Sequence, residues 1–320
     1  QGNSLELLQI IPNDSIDLIF ADPPYFMRVE GVLQRPEGSD FSGCDDSWDN
    51  AFIDNADYVA FSRQWLKECH RILKQNGSIW VIGSMQCIYS IGGVMQELGF
   101  WLINDVIWHK SNPTPNFNGT RLNNSHETLI WATKSKKSKY TFNYKSAKEL
   151  NCEIIDFEKG VRKQLGSVWR MSVCSGNERL KDSNGKKLHN TQKPLSLLYR
   201  ILAISSKMGD IVLDPFGGTM TTAVAAKILG RDYIMLEQNE VYIEYGRQRL
   251  DSVLFEDSPI ARAEFDKKPL RVSLREMIKA GFLSLGEQLH LKNTAFQAYL
   301  TSEGKLEFQG QIYDIHTLAA

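Results

Sequence analysis

The segment FADPPYFM, residues 20–27, combines an acid, two prolines and an aromatic residue, which are types found at reaction sites. It follows a nearly continuous apolar run over 16–20, typical of a strand covered on both faces. Such strands present ligand-binding groups at their carboxyl ends. Prolines fix the backbone and lack N–H donors, so nearby carbonyl oxygens remain able to accept hydrogen bonds. A turn without function would also fit Asp-Pro-Pro. The candidate reaction-site residues are Asp22, Pro23, Pro24 and Tyr25.

A second segment, VLDPFGGTMTTAVAAKILGRDYIMLE at residues 212–237, predicts a strand, a glycine-containing turn, a helix and a strand ending in an acid. This order is typical of a nucleotide-type cofactor site, where Gly217 and Gly218 let the backbone approach the ligand and Glu237 reaches a ribose hydroxyl. The turn lacks G-x-G-x-x-G, which disfavours a dinucleotide dehydrogenase, and the chain has no P-loop motif. Tight packing of the helix on the strand would also explain the glycines.

The remaining sequence supplies the elements that must position these segments. Apolar residues at helical spacing predict a helix over 57–75, closed by Asn76-Gly77 and followed by the strand SIWVIG. INDVIWHK and HETLIWATK predict two strands able to pair, and KPLSLLYRILAISSK predicts a helix opened by Pro194. Residues 145–190 are mostly polar and predict a loop-rich insertion. Together these patterns predict an α/β fold with two βαβ units.

Composition excludes several classes of protein. The 42% hydrophobic content suits a globular protein, and no stretch reaches the roughly 20 apolar residues of a membrane span. The first residues show no secretion signal, so a cytoplasmic location is expected. The five cysteines are scattered without a C-x-x-C pair, so neither disulfides nor a metal is expected. The net charge of -1 argues against non-specific coating of nucleic acid. Residues 134–148, with six lysines and three aromatics, predict phosphate contacts or a solvated hairpin face.

The Asp-Pro-Pro-Tyr loop, followed far downstream by the D-P-F-x-G turn, resembles the β group of amino-methylating DNA methyltransferases. NPTPNFNGTR, HETLIWA, NTQKPLSLLYRIL and GSIWVIGS also resemble this family, and they are most similar to the GANTC-specific adenine enzymes of the HinfI and cell-cycle-regulated (CcrM) type. The resemblance implies a Rossmann-like methyltransferase fold in permuted motif order, with a mostly parallel twisted sheet, helices on both faces and a small C-terminal α+β domain. The catalytic domain is expected over 1–255, with DNA-recognition insertions at about 26–50 and 111–190. A linker over 256–269 and an incomplete small domain over 270–320 are expected to follow.

The resemblance also implies the reaction, a transfer of the methyl group of S-adenosylmethionine to N6 of an adenine flipped out of duplex DNA. The Asp22 carboxylate and the Pro23 carbonyl would accept the two N6 hydrogens and turn the nitrogen lone pair toward the methyl group. Tyr25 would stack on the flipped ring. No covalent enzyme intermediate is implied.

A further set of residues is implied around the cofactor. It consists of Asn3, Gln192, Lys193, Asp214, Phe216, Gly218, Thr219 and Glu237. Gln192 and Lys193 are expected near the cofactor carboxylate, and Asn3 is expected at its adenine. Two features depart from the family pattern: Met220 replaces the second glycine of the turn, and Asn3 replaces an aspartate. Both are expected to weaken cofactor affinity, because a left-handed non-glycine residue is disfavoured and an amide only partly imitates a carboxylate.

Double-stranded DNA is the expected partner, together with a second copy of the chain and a cognate restriction endonuclease. Surface loops supply candidates for base contacts and the lysine-rich segment supplies candidates for phosphate contacts. The candidates are Arg28, Arg35, Trp48, Asn116, Arg121, Lys136, Lys137 and Lys139. A cytosine-N4 methyltransferase, an RNA methyltransferase and a DNA-binding homologue with weakened catalysis remain open as alternatives.

Overall fold

A computed structural model describes residues 1–26, 33–34, 40–41, 52–116, 119–151, 153–156, 160–267, 272–292 and 294–318. The chain divides into two compact units, Gln1–Asp266 and Lys267–Ala320. The helices of the first unit are α1 (Ser4–Ile10), α2 (Asn55–Ile72), α3 (Ile88–Glu97), α4 (Tyr144–Glu149), α5 (Leu195–Ser205), α6 (Thr221–Ile228) and α7 (Glu240–Asp251). Its strands are β1 (Ile16–Ala21), β2 (Leu33–Gln34), β3 (Asp40–Phe41), β4 (Leu73–Gly83), β5 (Trp101–Lys110), β6 (His126–Thr133), β7 (Ile154–Asp156), β8 (Val161–Arg162), β9 (Val168–Met171), β10 (Ile211–Asp214) and β11 (Asp232–Met235).

A central sheet organises this unit, and in the described residues its strand order is β11-β10-β1-β4-β6-β5-β9. The pairs β11/β10, β10/β1, β1/β4 and β5/β9 are parallel, whereas β6 runs antiparallel to both of its neighbours. The predicted pairing of INDVIWHK with HETLIWATK is therefore confirmed. Since β1 and β10 are adjacent and parallel, their carboxyl ends meet at one edge of the sheet, which we call the catalytic edge.

Alternate residues of β1 explain its continuous apolar run. Ile19 and Ala21 pack into the apolar cluster formed with α1, α2 and α3, whereas Leu18 and Phe20 pack into the cluster formed with α5 and α6. All four are buried. Burial of both faces removes the polar positions that a half-exposed strand would alternate with apolar ones. The helices on both faces confirm the doubly covered sheet.

The first predicted helix ends earlier than its spacing indicated. α2 stops at Ile72, and β4 begins at once with Leu73, which is buried and pairs with Ile16 of β1. Asn76-Gly77 therefore lies inside a strand and does not close the helix. Gly77 is needed for a different reason, since a Cβ atom there would lie 2.9 Å from the carbonyl oxygen of Asp17.

The polar insertion contributes more than loops. β9 comes from it and extends the central sheet next to β5, which the sequence did not predict. The alternating residues YTFNY do not form a strand. Tyr140 and Phe142 pack against Trp131 at ring distances of 5.3 and 5.7 Å, and α4 begins at Tyr144.

The second unit is a small α+β body with its own apolar cluster. Its elements are α8 (Leu274–Lys279), β12 (Gln288–His290), β13 (Gln297–Leu300), β14 (Leu306–Phe308), β15 (Gln311–Tyr313) and α9 (Ile315–Leu318). The strands form an antiparallel sheet in chain order. Ser273 and Glu276 form a capping box at the start of α8. Within the part of the chain that the structure describes, no helix is long and apolar enough to cross a membrane.

Candidate active site

The two chemically distinctive segments meet at the catalytic edge. They line one cavity of about 550 Å³, within the size range of small-molecule sites. Every residue that the sequence analysis assigned to the reaction site or the cofactor lines this cavity: Asn3, Asp22, Pro23, Pro24, Tyr25, Gln192, Lys193, Asp214, Phe216, Gly218, Thr219 and Glu237. The structure therefore brings together residues that are more than 200 positions apart in the chain.

Asp22 lies at the end of β1 with its two oxygens in different environments. Oδ2 accepts a hydrogen bond from Lys193 Nζ at 2.7 Å, in a largely buried ion pair. Oδ1 is buried and has no hydrogen-bond partner among the described residues. Burial raises the pKa of Asp22, and the Lys193 ammonium opposes that rise. One carboxylate oxygen is thus available to a ligand while the other is held by a cation.

The rest of the Asp-Pro-Pro-Tyr loop is fixed by side chains from outside it. The Tyr58 hydroxyl of α2 donates to the carbonyl of Pro24 at 2.8 Å. The Tyr25 hydroxyl donates to Glu127 Oε2 at 2.8 Å. No described residue donates a hydrogen bond to the Pro23 carbonyl. The loop therefore offers an acceptor at Pro23 beside the free oxygen of Asp22.

The turn after β10 is held by two carboxylates. Asp214 accepts from the Phe216 amide at 2.9 Å and from the Thr222 hydroxyl at 2.6 Å, and burial raises its pKa to about 7. Glu237 Oε2 accepts from the Gly218 amide at 2.8 Å, while its Oε1 accepts from the next two backbone amides. Gly218 has a positive φ of 48°, and its backbone faces the cavity. Both acids shape the turn as well as line the site.

The N-terminal segment closes one side of the cavity. Asn3 caps α1, with its side-chain oxygen accepting from the Leu5 amide at 2.8 Å. Gly2 donates its amide to the Glu237 carbonyl at 3.0 Å, and the Ser4 hydroxyl donates to the Pro215 carbonyl. Asn3 therefore combines a structural role with a position on the cavity wall.

Gln192 and Lys193 line the cavity, but both have protein partners. Gln192 donates to the Glu178 carbonyl at 2.9 Å and accepts from the Leu180 amide at 3.0 Å, which fastens the insertion to the loop before α5. Lys193 is paired with Asp22. Their expected contact with the cofactor carboxylate stays a prediction.

Met220 has the left-handed backbone that the family pattern suggested, with φ 62° and ψ 26°. Its side chain packs with Ala223 and Ile243 in a separate apolar cluster and lies against Gly246 of α7, where an added Cβ would meet its Cγ at 2.2 Å. It is not among the residues that line the cavity. The side chain therefore packs away from the cavity wall, and only its left-handed backbone bears on the turn.

The DNA-contact candidates fall into three groups. Arg28, Arg35 and Trp48 lie outside the described residues. Asn116, which is partly exposed, and Arg121, which is exposed, lie on the loop between β5 and β6 at the catalytic edge. The Asn116 side-chain amide donates to the Arg121 carbonyl at 2.8 Å. The third group is Lys136, Lys137 and Lys139.

These lysines follow β6, which runs away from the catalytic edge because it is antiparallel. The Lys139 amide donates to Asn76 near the start of β4, and Lys134 Nζ donates to the Leu73 carbonyl. At about 3.3 Å per residue, β6 separates this segment from the cavity by roughly 20 Å. That these lysines contact DNA phosphates stays a prediction, for phosphates at that distance from the cavity. Lys136 Nζ lies over the ring of Trp101 at 5.3 Å.

Sequence reasoning missed several residues at the site. Tyr58 lies at the start of a helical pattern, yet its hydroxyl holds the reaction loop. His189 belongs to the polar insertion, yet it lines the cavity. Glu127 is the second residue of β6 and is buried, and an acid in a mostly apolar strand was the available signal. Within the described residues, no group of three or more histidine, cysteine, aspartate or glutamate side chains is arranged to hold a metal.

The fold and the cavity define a Rossmann-like methyltransferase, and comparisons with known proteins agree. The family model N6_N4_Mtase, described as DNA methylase, matches residues 16–248, so the chain belongs to this family. Type II methyltransferase M.HinfI of Haemophilus influenzae is 50% identical over 320 residues, which are 100% of this chain and 86% of that protein. Type II methyltransferase M2.MboI of Moraxella bovis is 35% identical over 270 residues, covering 84% of this chain and 91% of that protein.

Solved structures give the same result. The M1.HpyAVI–SAM complex is 25% identical with a TM-score of 0.54, covering 78% of this chain and 97% of that chain. The cytosine-N4-specific PvuII DNA methyltransferase is 22% identical with a TM-score of 0.57, covering 78% of this chain and 84% of that chain, and this likeness shows the fold alone. The predicted fold class and family are confirmed, and the protein is an S-adenosylmethionine-dependent DNA methyltransferase.

The cavity fits this cofactor. At Gly217 an added Cβ would lie 3.3 Å from the Leu236 carbonyl oxygen, so a side chain there would be crowded. The glycine keeps the backbone of the turn open to a ligand. Glu237 lies at the end of the following strand, where a ribose-binding acid is found in such folds. Asp22, whose Oδ1 is buried without a hydrogen-bond partner among the described residues, lines the same cavity as the turn.

Proposed function

We propose that this protein methylates the N6 amino group of an adenine flipped out of duplex DNA, within the sequence GANTC. The observation that carries the proposal is the buried, unpartnered Oδ1 of Asp22 at the cavity wall, beside the Pro23 carbonyl. A buried acceptor without a partner costs stability and is retained where a ligand supplies the missing donor. An exocyclic amine has two N–H donors, and these two oxygens match them.

Asp22 and Pro23 would act by orienting the amine. The lone pair of an adenine N6 is delocalised into the ring, which makes the nitrogen a weak nucleophile. Hydrogen bonds from both N6 hydrogens to Asp22 Oδ1 and the Pro23 carbonyl favour a more tetrahedral nitrogen, whose lone pair then points into the cofactor half of the cavity. The carboxylate also stabilises the positive charge that grows on N6 during transfer. S-Adenosylmethionine, when bound, supplies the electrophilic methyl group.

Tyr25 would receive the flipped base. Lys193 Nζ lies over its ring at 4.9 Å from the centroid, so one face of the ring is taken by a cation. A flipped adenine would stack on this ring, and base-aromatic stacking contributes roughly 1 to 3 kcal/mol. The hydrogen bond from the Tyr25 hydroxyl to Glu127 fixes the ring angle before the base arrives.

The cofactor would lie against the turn after β10. Phe216, Gly218 and Thr219 would contact its methionine portion together with Asp214, while Glu237 would accept from the ribose hydroxyls. Asn3 would face its adenine from the N-terminal side. Gln192 would act on the site mainly by fastening the loop that carries Lys193.

For the DNA, we propose base contacts from Asn116 and Arg121 at the catalytic edge, and from Arg28, Arg35 and Trp48 in the loop that follows the reaction site. The preference for adenine and for GANTC is supported by the 50% identity to M.HinfI along the whole chain. We also propose a catalytic domain over 1–255, a linker over 256–269 and a small domain over 270–320 that holds DNA.

The protein is further proposed to act as a homodimer in the bacterial cytoplasm, beside a cognate restriction endonuclease in the same system. Light scattering after gel filtration measures the first point. A monomer at micromolar concentration, with full activity, would contradict it. Resistance of the methylated duplex to a GANTC-cleaving endonuclease checks the protective function.

The test of the reaction is transfer from labelled S-adenosylmethionine to matched duplexes that contain GANTC or a scrambled site. We expect labelled N6-methyladenine in the GANTC duplex alone, and no transfer by Asp22→Ala. Asp22→Asn is the isosteric control, since it removes the charge and keeps the shape. Labelled N4-methylcytosine would instead favour the cytosine enzyme, and site-specific binding without transfer would favour a homologue with lost catalysis.

A further inference from the structure

A second buried carboxylate lies behind the reaction loop, and the mechanism above gives it no part in the reaction beyond fixing Tyr25. Glu127 is the second residue of β6 and is 9% exposed. Its Oε2 accepts from the Tyr25 hydroxyl at 2.8 Å and lies 3.9 Å from Lys193 Nζ. Its Oε1 lies 2.7 Å from Lys110 Nζ at the end of β5. Two lysine ammonium groups and a phenol thus share one acid that the sequence motifs did not single out.

We propose that Glu127 is a positioning residue for the methyl transfer. It fixes the Tyr25 hydroxyl and the Lys193 ammonium, and through them it sets the ring that receives the base and the carboxylate that receives the amine. The inference rests on the proposed function of this site. It gives a residue of β6 the task of fixing Tyr25 and Lys193, which the Asp-Pro-Pro-Tyr motif does not do by itself.

The geometry shows why one acid must do both tasks. Lys193 Nζ lies 2.7 Å from Asp22, 3.2 Å from the Thr191 carbonyl and 3.9 Å from Glu127. Without Glu127, the ammonium would lose one of its two acidic neighbours and the Tyr25 hydroxyl would lose this acceptor. Because Lys193 Nζ also lies 4.9 Å from the centre of the Tyr25 ring, the ring angle and the Asp22 orientation are set by the same contacts.

Charge balance gives Glu127 a second effect. Asp22 and Glu127 carry two negative charges against the two positive charges of Lys193 and Lys110. During transfer, positive charge grows on the amine that Asp22 holds. Removing the Glu127 charge leaves the cluster with an excess positive charge, which disfavours that growth because the site is largely shielded from water.

The same balance controls the titration of Asp22. The groups that face Asp22 are Lys193 from the loop before α5, Glu127 from β6 and Tyr25 from its own loop, with Cys87 at the start of α3 and Asp214 of β10 nearby. Burial raises the pKa of Cys87 to about 12 and raises that of Tyr25, so both are neutral at pH 7. The Glu127 charge raises the pKa of Asp22, and its removal therefore lowers that pKa.

The test compares wild-type protein with Glu127→Gln, which keeps an acceptor for Tyr25 and removes the charge. The single-turnover rate of methyl transfer is measured from pH 5 to pH 9 with a GANTC duplex, and cofactor affinity is measured by calorimetry. We expect the rate at pH 7 to fall about tenfold or more. The acid limb of the rate profile should move to lower pH, and the cofactor dissociation constant should stay within about twofold.

A second change tests charge balance directly. Adding Lys110→Met to Glu127→Gln restores neutrality, and we expect it to recover part of the lost rate. Glu127→Asp keeps the charge, so the acid limb of its rate profile should stay at the wild-type pH. Its shorter side chain lies farther from the Tyr25 hydroxyl, which should slow transfer. Glu97→Gln, whose carboxylate pairs with Arg63 on the surface, is the matched control and should behave as wild type.

The outcomes are distinct. A Glu127→Gln rate and profile equal to wild type would overturn the inference. A slow variant with an unmoved acid limb and no rescue by Lys110→Met would also overturn it, since that pattern describes a purely structural residue. Wild-type protein that transfers no methyl group to any duplex would overturn the proposed function and, with it, this inference. A moved acid limb together with rescue would support it.

Discussion

Replacing Lys193 by methionine removes the cation that holds Asp22 while keeping a side chain of similar length. The ammonium lies 2.7 Å from Asp22 Oδ2. Two unit charges of opposite sign at 4 Å, with an effective dielectric of about 20, attract each other by about 4 kcal/mol. Losing even part of this attraction therefore has a large effect on the ionisation of Asp22. Burial already raises the pKa of Asp22, and Lys193 is the main group opposing it. In the variant that pKa rises further, and the carboxyl becomes protonated at pH values where the wild-type group is ionised.

The sign of the effect follows from the protonation state that catalysis needs. Asp22 must be ionised, so activity is present above its pKa and is lost as the pH falls through it. The acid limb of the single-turnover rate should therefore move to higher pH in Lys193→Met. At pH 7 the rate should fall at least about a hundredfold, a loss of about 2.7 kcal/mol of transition-state stabilisation. Part of that loss should be recovered at pH 9.

The matched control is Lys74→Met, which breaks a pair with Asp17 of the same 2.7 Å length at a more exposed position far from the cavity. It should leave the rate profile unchanged and cost less than about 1 kcal/mol of stability. An acid limb in Lys193→Met that stays at the wild-type pH, or a rate that does not recover at high pH, would refute the reasoning that Lys193 keeps Asp22 ionised.

Four further results are expected. Met220→Gly should leave the cofactor dissociation constant within about twofold in calorimetry, because the side chain does not line the cavity, and should lower the free energy of unfolding by about 1 to 3 kcal/mol, since lost packing outweighs relief of left-handed strain. Gly246→Ala should be destabilising alone, but should cost less in the Met220→Gly background, because its Cβ meets Met220 Cγ; strictly additive denaturation energies would contradict this. Tyr58→Phe should cost about 1 kcal/mol in urea unfolding and slow transfer, since the Pro24 carbonyl loses its donor, and an unchanged transfer rate would count against a role for Tyr58 in fixing the loop. Asp214→Asn should remove a pH dependence of stability: a folded pKa of about 7 against an unfolded value of 3.8 means that the folded state binds more protons, so wild-type stability falls by up to about 4 kcal/mol as pH rises from 4 to 7. Urea unfolding without cofactor at pH 5 and pH 7 measures this change in the free energy of unfolding. An equal change in the wild-type protein and in Asp214→Asn would show that Asp214 is not the group responsible.

Local patterns predicted the elements that form the site. The apolar run of β1 and the turn after β10 each have a signal within about ten residues, so their structures depend mainly on their own sequence and on being buried on both faces. The helix opened by Pro194 also formed where its pattern indicated, because proline ends the preceding extended segment and has the backbone angle that a helix start needs.

The errors lie where distant residues decide the structure. The spacing over 57–75 remains helical up to the point where Leu73 pairs with Ile16, and pairing with β1 ends the helix three residues early. β9 has only four residues, and nothing within VWRM indicates that β5 has a free edge for it. The position of the lysine-rich segment, at the opposite edge of the sheet from the cavity, is likewise set by the direction of β6 and has no signal within the segment itself.

The sequence by itself determined the family, the fold class and about half of the residues that line the cavity, because the Asp-Pro-Pro-Tyr loop and the glycine turn are local motifs at strand ends. The tertiary structure alone decided which charges meet: Asp22 pairs with Lys193 across 171 positions, and Tyr25 with Glu127 across 102. The physical reason is that the strand order β10-β1-β4-β6 brings these side chains to one shielded edge. The strength of a charge interaction depends on the distance between the two groups and on their burial. The local sequence around each residue indicates neither of these quantities.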